Sequence, residues 1–196
     1  MMDFSNLGDG TCPVIYADPA TIFKTRSAKG KGRSAERHYR TMTWPQLFSM
    51  GDEVRRISAK NSVLLVWTTW PQLLNTIQLI DVWGFKYKTA GFDWLKGDGQ
   101  SRDLFDDTIK ADMKMGYWTR SNGEPCLLAT RGQPKRRSAS VRMGIIEPAR
   151  QHSRKPDCVY GRIEKLLAGP YLELFARTQR PGWTAIGDQV GKFKAT

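Results

Sequence analysis

The sequence predicts an α/β fold with three layers, in which helices pack on both faces of a mainly parallel sheet. Short apolar runs alternate along the chain with segments of helical periodicity, as they do where helices connect parallel strands. Residues 62–68 (SVLLVWT) form a short apolar run that is typical of a strand buried on both faces. A chain of 196 residues with 40% hydrophobic residues can bury one sizeable core, so we expect a single domain over residues 1–196.

Each predicted element has a local signal. Apolar runs rich in β-branched and aromatic residues predict six strands, at residues 14–17, 62–68, 85–95, 124–130, 144–147 and 171–176. Residues that start or stop helices predict three: one capped by Thr43 and running to about Ile57, one opened by Pro71 and closed by Gly84, and one starting at Pro156. The segments 24–40, 96–115 and 132–142 are polar and lack apolar periodicity, so they are predicted to be loops.

The charge of the chain indicates a polyanionic partner. Its 31 basic and 19 acidic side chains leave a net charge of +12, and nucleic acid is the leading candidate. A solvated basic surface without a specific partner is the alternative. Basic residues concentrate in the loops 24–40 and 132–142, and we expect these two loops to flank the functional site. The candidate nucleic-acid contacts are Lys24, Arg26, Lys29, Lys31, Arg33, Arg37, His38, Tyr39, Lys135, Arg136 and Arg137.

The sequence lacks the signals of a disulfide-rich, metal-binding, membrane or secreted protein. The three cysteines are far apart and form no C-x-x-C pair, so we expect neither a disulfide framework nor a metal site. No apolar run approaches the roughly 18 residues of a membrane span, and the N-terminus lacks the features of a signal peptide. We therefore expect a cytoplasmic protein that does not bind membranes. The dinucleotide-binding, P-loop, zinc-protease and serine-hydrolase motifs do not occur in the sequence.

One turn carries a candidate for chemistry. The first predicted strand runs directly into Asp18-Pro19, and open α/β sheets bind ligands where their strands end. A carboxylate held there can accept a hydrogen bond from an amino group, while a neighbouring carbonyl accepts a second. This arrangement suits chemistry on an exocyclic amine, although Asp-Pro is also common as a simple turn. Periodicity and composition by themselves do not name a reaction.

A series of six motifs extends the interpretation. In chain order they are VIYADP, SAERHYRTM, WGFKYKT, GYWTRSNGEPCLLATRG, HSRKPDCVYGRIEKL and LELFARTQRPGWTAIGDQV. Together they resemble the amino-methyltransferase family that includes the eukaryotic mRNA adenosine-N6 methyltransferases and their bacterial and phage DNA-modifying relatives. The resemblance covers nearly everything from Val14 to Phe193. It implies a Rossmann-like methyltransferase fold and S-adenosylmethionine as the methyl donor.

The resemblance also implies roles for residues of the Asp-Pro turn. Asp18 matches the catalytic aspartate that accepts a hydrogen bond from the adenine amino group, and Pro19 matches the residue whose carbonyl is the second acceptor. The family motif continues with a second proline and an aromatic residue, whereas this chain has Ala20 and Thr21. The missing aromatic removes a stacking surface for the base, and the missing proline makes the turn less rigid.

Five further residues match the family's cofactor site. Lys155 matches a lysine that holds the methionyl carboxylate, Glu173 and Arg177 match positions near the ribose, and Asp188 and Gln189 match an Asn-Gln pair at the adenosine. Each also has a purely structural interpretation, as a solvated basic residue or a partner in a salt bridge. Asp188 in place of asparagine removes an amide donor and adds a charge.

Two functions of different classes follow. The first is an adenine-N6 methyltransferase that acts on DNA, which we prefer over RNA as the substrate. The second is a catalytically inactive family member that binds nucleic acid or stabilises a partner subunit. The sequence is compatible with a homodimer or with such a partner, and it does not give the recognition site.

Overall fold

The computed structural model of the chain describes residues 2–21, 41–97, 118–119, 121–151 and 154–193. The predicted basic loop 24–40 and residues 98–115 of the second predicted loop lie outside these ranges. The fold below is that of the described residues.

Seven strands form one sheet in the described part of the chain. They are β1 (Cys12–Ala17), β2 (Ser58–Trp67), β3 (Lys86–Lys96), β4 (Gly123–Arg131), β5 (Gly144–Glu147), β6 (Tyr171–Leu174) and β7 (Trp183–Ile186). Their order in the sheet is β5-β3-β4-β2-β1-β6-β7. Four of the six pairings are parallel, and the two antiparallel ones are both made by β4. The predicted mainly parallel sheet is confirmed.

Helices pack on both faces of this sheet, as predicted. They are α1 (Trp44–Phe48), α2 (Gly51–Ile57), α3 (Leu73–Val82), which follows a 3-10 turn over Trp70–Gln72, and α4 (Cys158–Leu166). Side chains alternate along β1, so Ile15 joins the core beneath the first three helices, whereas Val14 and Tyr16 join the core beneath α4. The strand is buried on both faces because each face has its own helical layer.

The helix predicted from Thr43 to about Ile57 is two helices. Its start is as predicted, since the Thr43 hydroxyl accepts from the Gln46 amide and the Gln46 side chain accepts from the Thr43 amide. The first helix ends at Phe48, and the second begins at Gly51. A Cβ on Gly51 would lie 2.9 Å from the carbonyl oxygen of Val82 at the end of α3. The absence of a side chain at Gly51 therefore allows a close backbone contact between α2 and α3.

Strand β7 was not predicted. Its sequence, WTAI, is four residues long and shows no clear alternation. It pairs in parallel with β6, from Tyr171 opposite Trp183 to Leu174 opposite Ile186. This pairing brings the residues that follow Ile186 beside those that follow Leu174. The predicted last strand is also shorter than expected, because β6 ends at Leu174 and not at Ala176.

The antiparallel direction of β4 determines at which end of the sheet its neighbouring segments lie. Strands β1, β2, β6 and β7 end at one edge, which we term the carboxyl edge, and Asp18 follows β1 there. Because β4 runs the other way, its first residues also lie at the carboxyl edge. Its last residue, Arg131, pairs with Ser62 of β2 near the opposite, amino edge. The loop 132–142 therefore leaves the sheet at the amino edge.

We expect Tyr16→Phe to destabilise the fold by about 1–3 kcal/mol, because the Trp67 indole N–H donates to the buried Tyr16 hydroxyl at 2.6 Å and would be left without its acceptor. Unfolding in urea measures this change. Tyr87→Phe, which removes the same hydroxyl from an exposed tyrosine, is the control and should have little effect. Equal stability of the two variants would contradict the expectation.

Candidate active site

Asp18 follows β1, which lies between β2 and β6 in the sheet, so the Asp18 turn lies between the ends of those two strands at the carboxyl edge. Asp18 directly follows Ala17, and the backbone beyond it is fixed by hydrogen bonds. The Thr21 amide donates to the Pro19 carbonyl at 3.0 Å, and the Met42 amide donates to the Ala20 carbonyl at 2.8 Å. Thr21 and Met42 also form an isolated parallel bridge. These contacts hold the turn although only one proline is present, and the Pro19 carbonyl keeps a second lone pair for another donor.

Lys155 is in direct contact with Asp18. Its ammonium group donates to both carboxylate oxygens at 2.8 Å, across 137 residues of sequence. The same group lies 3.4 Å from the Glu124 carboxylate and 5.5 Å from the centre of the Trp67 ring, and Glu124 in turn pairs with Lys96. The side chains of Lys96, Glu124, Lys155 and Asp18 are 14%, 17%, 8% and 22% exposed. They form a chain of alternating charges, which we term the charge chain.

Glu124 and Lys96 were missed by the sequence analysis. Burial acts to raise the pKa of Glu124, but the ammonium groups of Lys155 and Lys96 outweigh it and hold the pKa below its usual value. Glu124 is therefore a charged carboxylate beside the Lys155–Asp18 pair. A signal was available, since an acidic residue opens the apolar run of β4.

Glu173 faces the layer beneath α4. It is only 6% exposed, and its carboxylate accepts from the Tyr160 hydroxyl at 3.0 and 3.1 Å. Burial raises the pKa of Glu173 to about 7, the charge on Asp18 adds to this, and the Tyr160 hydrogen bond and the Arg180 and Arg177 guanidinium groups oppose it. Glu173 is thus electrostatically coupled to the Asp18 turn from the buried side.

A cleft of about 420 Å³ opens beside Asp18 at the carboxyl edge. Six of the nine residues predicted for catalysis and cofactor binding line it: Asp18, Pro19, Ala20, Arg177, Asp188 and Gln189. Apolar side chains of Met42, Met50 and Phe175 line it as well. The pairing of β6 with β7 brings Arg177 and the Asp188-Gln189 pair together, since both follow the ends of these strands.

The backbone at the end of β6 is unusual. Phe175 has φ of +63°, a left-handed conformation that is rare for a bulky residue and costs about 1–3 kcal/mol. Just opposite, a Cβ on Gly187 would overlap the backbone of Ala176, so only glycine fits there. The strained residue and the close approach lie at the cleft, where such features are often functional.

The basic loop 132–142 does not flank the Asp18 turn, contrary to our expectation. Lys135, Arg136 and Arg137 are exposed, and the Arg137 amide donates to the Leu166 carbonyl at the end of α4, at the amino edge. The physical reason is the reversed direction of β4. The other candidate nucleic-acid contacts lie outside the described residues: Lys24, Arg26, Lys29, Lys31, Arg33, Arg37, His38 and Tyr39. Their role stays a prediction.

A different basic group lies at the carboxyl edge. Asp157, at the start of α4, pairs with three arginines: Arg150 at 2.5 Å, Arg154 at 3.0 Å and Arg180 at 3.3 Å. We term this group the Asp157 cluster. Because Asp157 is two residues from Lys155, the cluster places net positive charge next to the Asp18 turn.

Two further findings concern the described residues alone. No group of three or more His, Cys, Asp or Glu side chains in that part of the chain is placed to hold a metal ion. Across the same ranges, no helix is long and apolar enough to cross a membrane.

The raised pKa of Glu173 predicts a pH-dependent stability. The folded chain holds the proton up to about pH 7, whereas the ordinary value is 4.5, so the stabilisation is fully present below 4.5 and is lost as the pH rises through about 7. We expect the loss to reach roughly 3 kcal/mol and to disappear in Glu173→Gln, which still offers an acceptor to Tyr160. Urea unfolding between about pH 5 and pH 8 measures it.

Asp81→Asn, at an exposed carboxylate at the end of α3, is the control for this pH series and should follow the parent protein. Parallel profiles of the parent and Glu173→Gln would show that Glu173 is not the group responsible.

Known proteins match this chain over most of its length. A family model for MT-A70 matches residues 12–189. The chain is 32% identical over 195 residues to the type II methyltransferase M.MunI of Mycoplasma sp, covering 90% of this chain and 77% of that protein. It is 27% identical over 147 residues to the N(6)-adenosine-methyltransferase catalytic subunit METTL3 of Homo sapiens, covering 71% of this chain and 24% of that protein.

An Arabidopsis thaliana relative, N(6)-adenosine-methyltransferase MT-A70-like, is 26% identical over 184 residues, covering 92% of this chain. The chain spans only 24% of the length of that protein. The match of the family model extends from the first residue of β1 to Gln189 in the wall of the cleft. The resemblance inferred from the motifs is confirmed: this chain belongs to the MT-A70 family of N6-adenine methyltransferases.

Proposed function

We propose that this protein transfers a methyl group from S-adenosylmethionine to the N6 amino group of adenine in DNA. The observation that carries the proposal is the contact between Lys155 and Asp18. The family resemblance implies a cofactor role for Lys155 and a base-binding role for Asp18, and the two side chains meet beside the cleft. A site that joins the two substrates needs this proximity.

The residues of the cleft fit S-adenosylmethionine. Two of the carboxylates that line the cleft, Asp18 and Asp188, match the positive charge of a sulfonium and an ammonium group, and Gln189 offers an amide to a nucleoside. The apolar side chains of Met42 and Phe175 suit the rest of the molecule. When bound, the cofactor supplies a methyl group on a positively charged sulfur.

Asp18 and Pro19 would act on the adenine amino group. The lone pair of that nitrogen is delocalised into the ring, and two acceptors draw its hydrogens away from the ring plane, so that the lone pair becomes available. A carboxylate has about four lone-pair sites, so Asp18 can accept from Lys155 and from the base at the same time. The Lys155 ammonium, which donates to both Asp18 oxygens, holds the carboxylate in place.

Two features favour DNA as the substrate. The chain spans 77% of a bacterial type II methyltransferase, whereas it spans only 24% of each of the two eukaryotic N(6)-adenosine-methyltransferases described above. Its net charge of +12 suits a phosphate backbone, and the Asp157 cluster places positive charge at the carboxyl edge. In a duplex the base would have to leave the stack at a cost of a few kcal/mol, which contacts with the backbone can offset.

A specific observation favours the second candidate function, an inactive family member that binds nucleic acid or stabilises a partner. Ala20 and Thr21 replace the proline and the aromatic of the family motif, and Thr21 is engaged in a backbone bridge with Met42. Such a protein would keep the fold and the basic surface without turnover. The two candidates differ in cofactor binding and in methyl transfer.

Calorimetry should detect S-adenosylmethionine binding by the parent protein. Arg177→Ala should weaken it by at least about tenfold, because a charge-assisted contact contributes roughly 1.5–3 kcal/mol. Lys155→Ala should weaken it as well, because Asp18 in the cleft wall would lose the partner that holds its carboxylate. Lys165→Ala, which removes an exposed lysine at the amino-edge end of α4, is the matched control and should bind like the parent. If the parent protein shows no binding, the enzyme proposal fails.

Rebuilding the motif with Ala20→Pro and Thr21→Trp should raise methyl transfer by up to about a hundredfold, because base–aromatic stacking is worth about 1–3 kcal/mol. Asp18→Ala in that background should abolish the gain. Transfer of tritium from labelled S-adenosylmethionine to adenine-containing DNA and RNA oligonucleotides measures the methyl-transfer activity of the parent, the rebuilt protein and its Asp18→Ala variant. Background transfer by parent and rebuilt protein alike would favour the inactive family member, and preferential labelling of RNA would contradict the DNA assignment.

A further inference from the structure

The C-terminal segment 187–193 forms part of the cleft wall through Asp188 and Gln189. Both residues are only partly buried or exposed, and the segment contains no helix or strand. Their position over the cleft therefore depends on how the ends of the segment are attached to the body of the protein.

The first attachment is at the start of the segment. The Ala176 amide donates to the Ile186 carbonyl at 3.0 Å, and Gly187 lies so close to Ala176 that a Cβ would overlap its backbone. This contact continues the β6–β7 pairing by one residue. It fixes where the segment leaves the sheet, but it does not fix where the segment returns.

The second attachment is at Phe193. Its amide donates to the Arg177 carbonyl at 3.1 Å, and Thr178 and Phe193 form a parallel bridge. Its ring lies 5.1 Å from the Arg154 guanidinium carbon, 5.2 Å from that of Arg177 and 5.9 Å from the Lys192 ammonium. All three distances are within the range of cation–π interactions.

The groups that meet at this ring come from three parts of the candidate active site. Arg154 belongs to the turn that presents Lys155 to Asp18, and it also pairs with Asp157. Arg177 lines the cleft. Lys192 donates from its side chain to the Gln189 side chain at 3.0 Å and from its backbone to the Gln189 carbonyl at 3.0 Å. One aromatic ring thus connects the Lys155 turn, the end of β6 and the Asp188-Gln189 wall.

We propose that Phe193 is a positioning residue for the cofactor: its ring, held by Arg154 and Arg177, fastens the segment 187–193 so that Asp188 and Gln189 face the cleft. Phe193 itself does not line the cleft, so it acts through these two residues. The inference rests on the proposed function, because it assigns S-adenosylmethionine to that cleft. Without the ring, the segment would keep its attachment at Gly187 and the backbone hydrogen bond from residue 193 to Arg177, but it would lose the side-chain contacts that hold it. The segment would then sample other positions, and binding would require it to be ordered again.

Phe193→Ala should weaken S-adenosylmethionine binding by about tenfold, as expected for the loss of two cation–π contacts, and leave the turnover of saturated enzyme nearly unchanged. Phe193→Tyr keeps the ring and should bind like the parent. Phe193→Leu keeps apolar volume without the π face, so its affinity for S-adenosylmethionine should resemble that of Phe193→Ala. It replaces the alanine variant in the test if that variant folds poorly. Tyr87→Ala, at an exposed tyrosine in β3 far from the cleft, is the matched control.

Calorimetry with S-adenosylmethionine gives the affinities, and hydrogen exchange of the cofactor-free proteins gives the protection of amides 187–193. The inference requires faster exchange in this segment for Phe193→Ala and Phe193→Leu, but not for Phe193→Tyr or Tyr87→Ala. If the parent binds the cofactor and the alanine and leucine variants bind it equally well, the inference is overturned while the proposed function stands. If the parent does not bind the cofactor, both are overturned.

Discussion

The charge chain of Lys96, Glu124, Lys155 and Asp18 is the interaction on which the candidate active site depends. None of its four side chains is more than 22% exposed, so each charge has lost much of its hydration and needs a partner of opposite sign. Removing one member of a buried pair typically costs about 3–5 kcal/mol, because the other charge is left uncompensated. Because the charges alternate, every member has a neighbour of opposite sign. Asp18 is the more exposed of the two carboxylates, and it lies at the end of the charge chain that faces the cleft.

The charge chain forms because the sheet topology brings its four residues to the same edge. Asp18 and Lys96 follow or end strands that run toward the carboxyl edge, and Glu124 reaches the same edge only because β4 runs in the opposite direction. Lys155 arrives from the turn before α4, on the other face of β1 from α1. The Asp18 carboxylate is therefore approached from two sides: from the cleft, where the cofactor is proposed, and from the α4 layer, where Lys155 and Glu173 lie.

The altered motif has different consequences for its two changed positions. At Ala20 the carbonyl accepts from Met42, and Thr21 donates back to Pro19, so backbone hydrogen bonds supply part of the rigidity that a second proline would provide. At Thr21 the change removes an aromatic face, and backbone hydrogen bonds do not replace stacking. The geometry of the acceptor groups is thus better preserved in this chain than the surface on which a base would lie.

Much of this protein could be predicted from its sequence. The strands that are buried on both faces and the helices with clear caps, such as the one begun by Thr43, have strong local signals, and these elements lie close to where they were expected. Strand β7 was missed because WTAI is too short to show periodicity. The break between α1 and α2 was missed as well, and it lies where Gly51 packs against Val82, which is far along the chain. Asp18 and Pro19 were identified as a turn at the end of a predicted strand, whereas Lys155, Arg177, Asp188 and Gln189 were identified from motifs and not from periodicity.

The tertiary structure decided which of these residues meet and which do not. Lys155 and Asp18 are 137 residues apart in sequence, and local propensity carries no information about a contact at that separation. Likewise, no local signal in GEPCLLATRG reveals that β4 runs against its neighbours, yet that direction moves Glu124 into the site and carries Lys135 to Arg137 away from it. The sequence determined the elements and the chemistry of their side chains, because both are local properties. The arrangement of those side chains at one edge of the sheet is a property of strand order and direction, which only the folded chain defines.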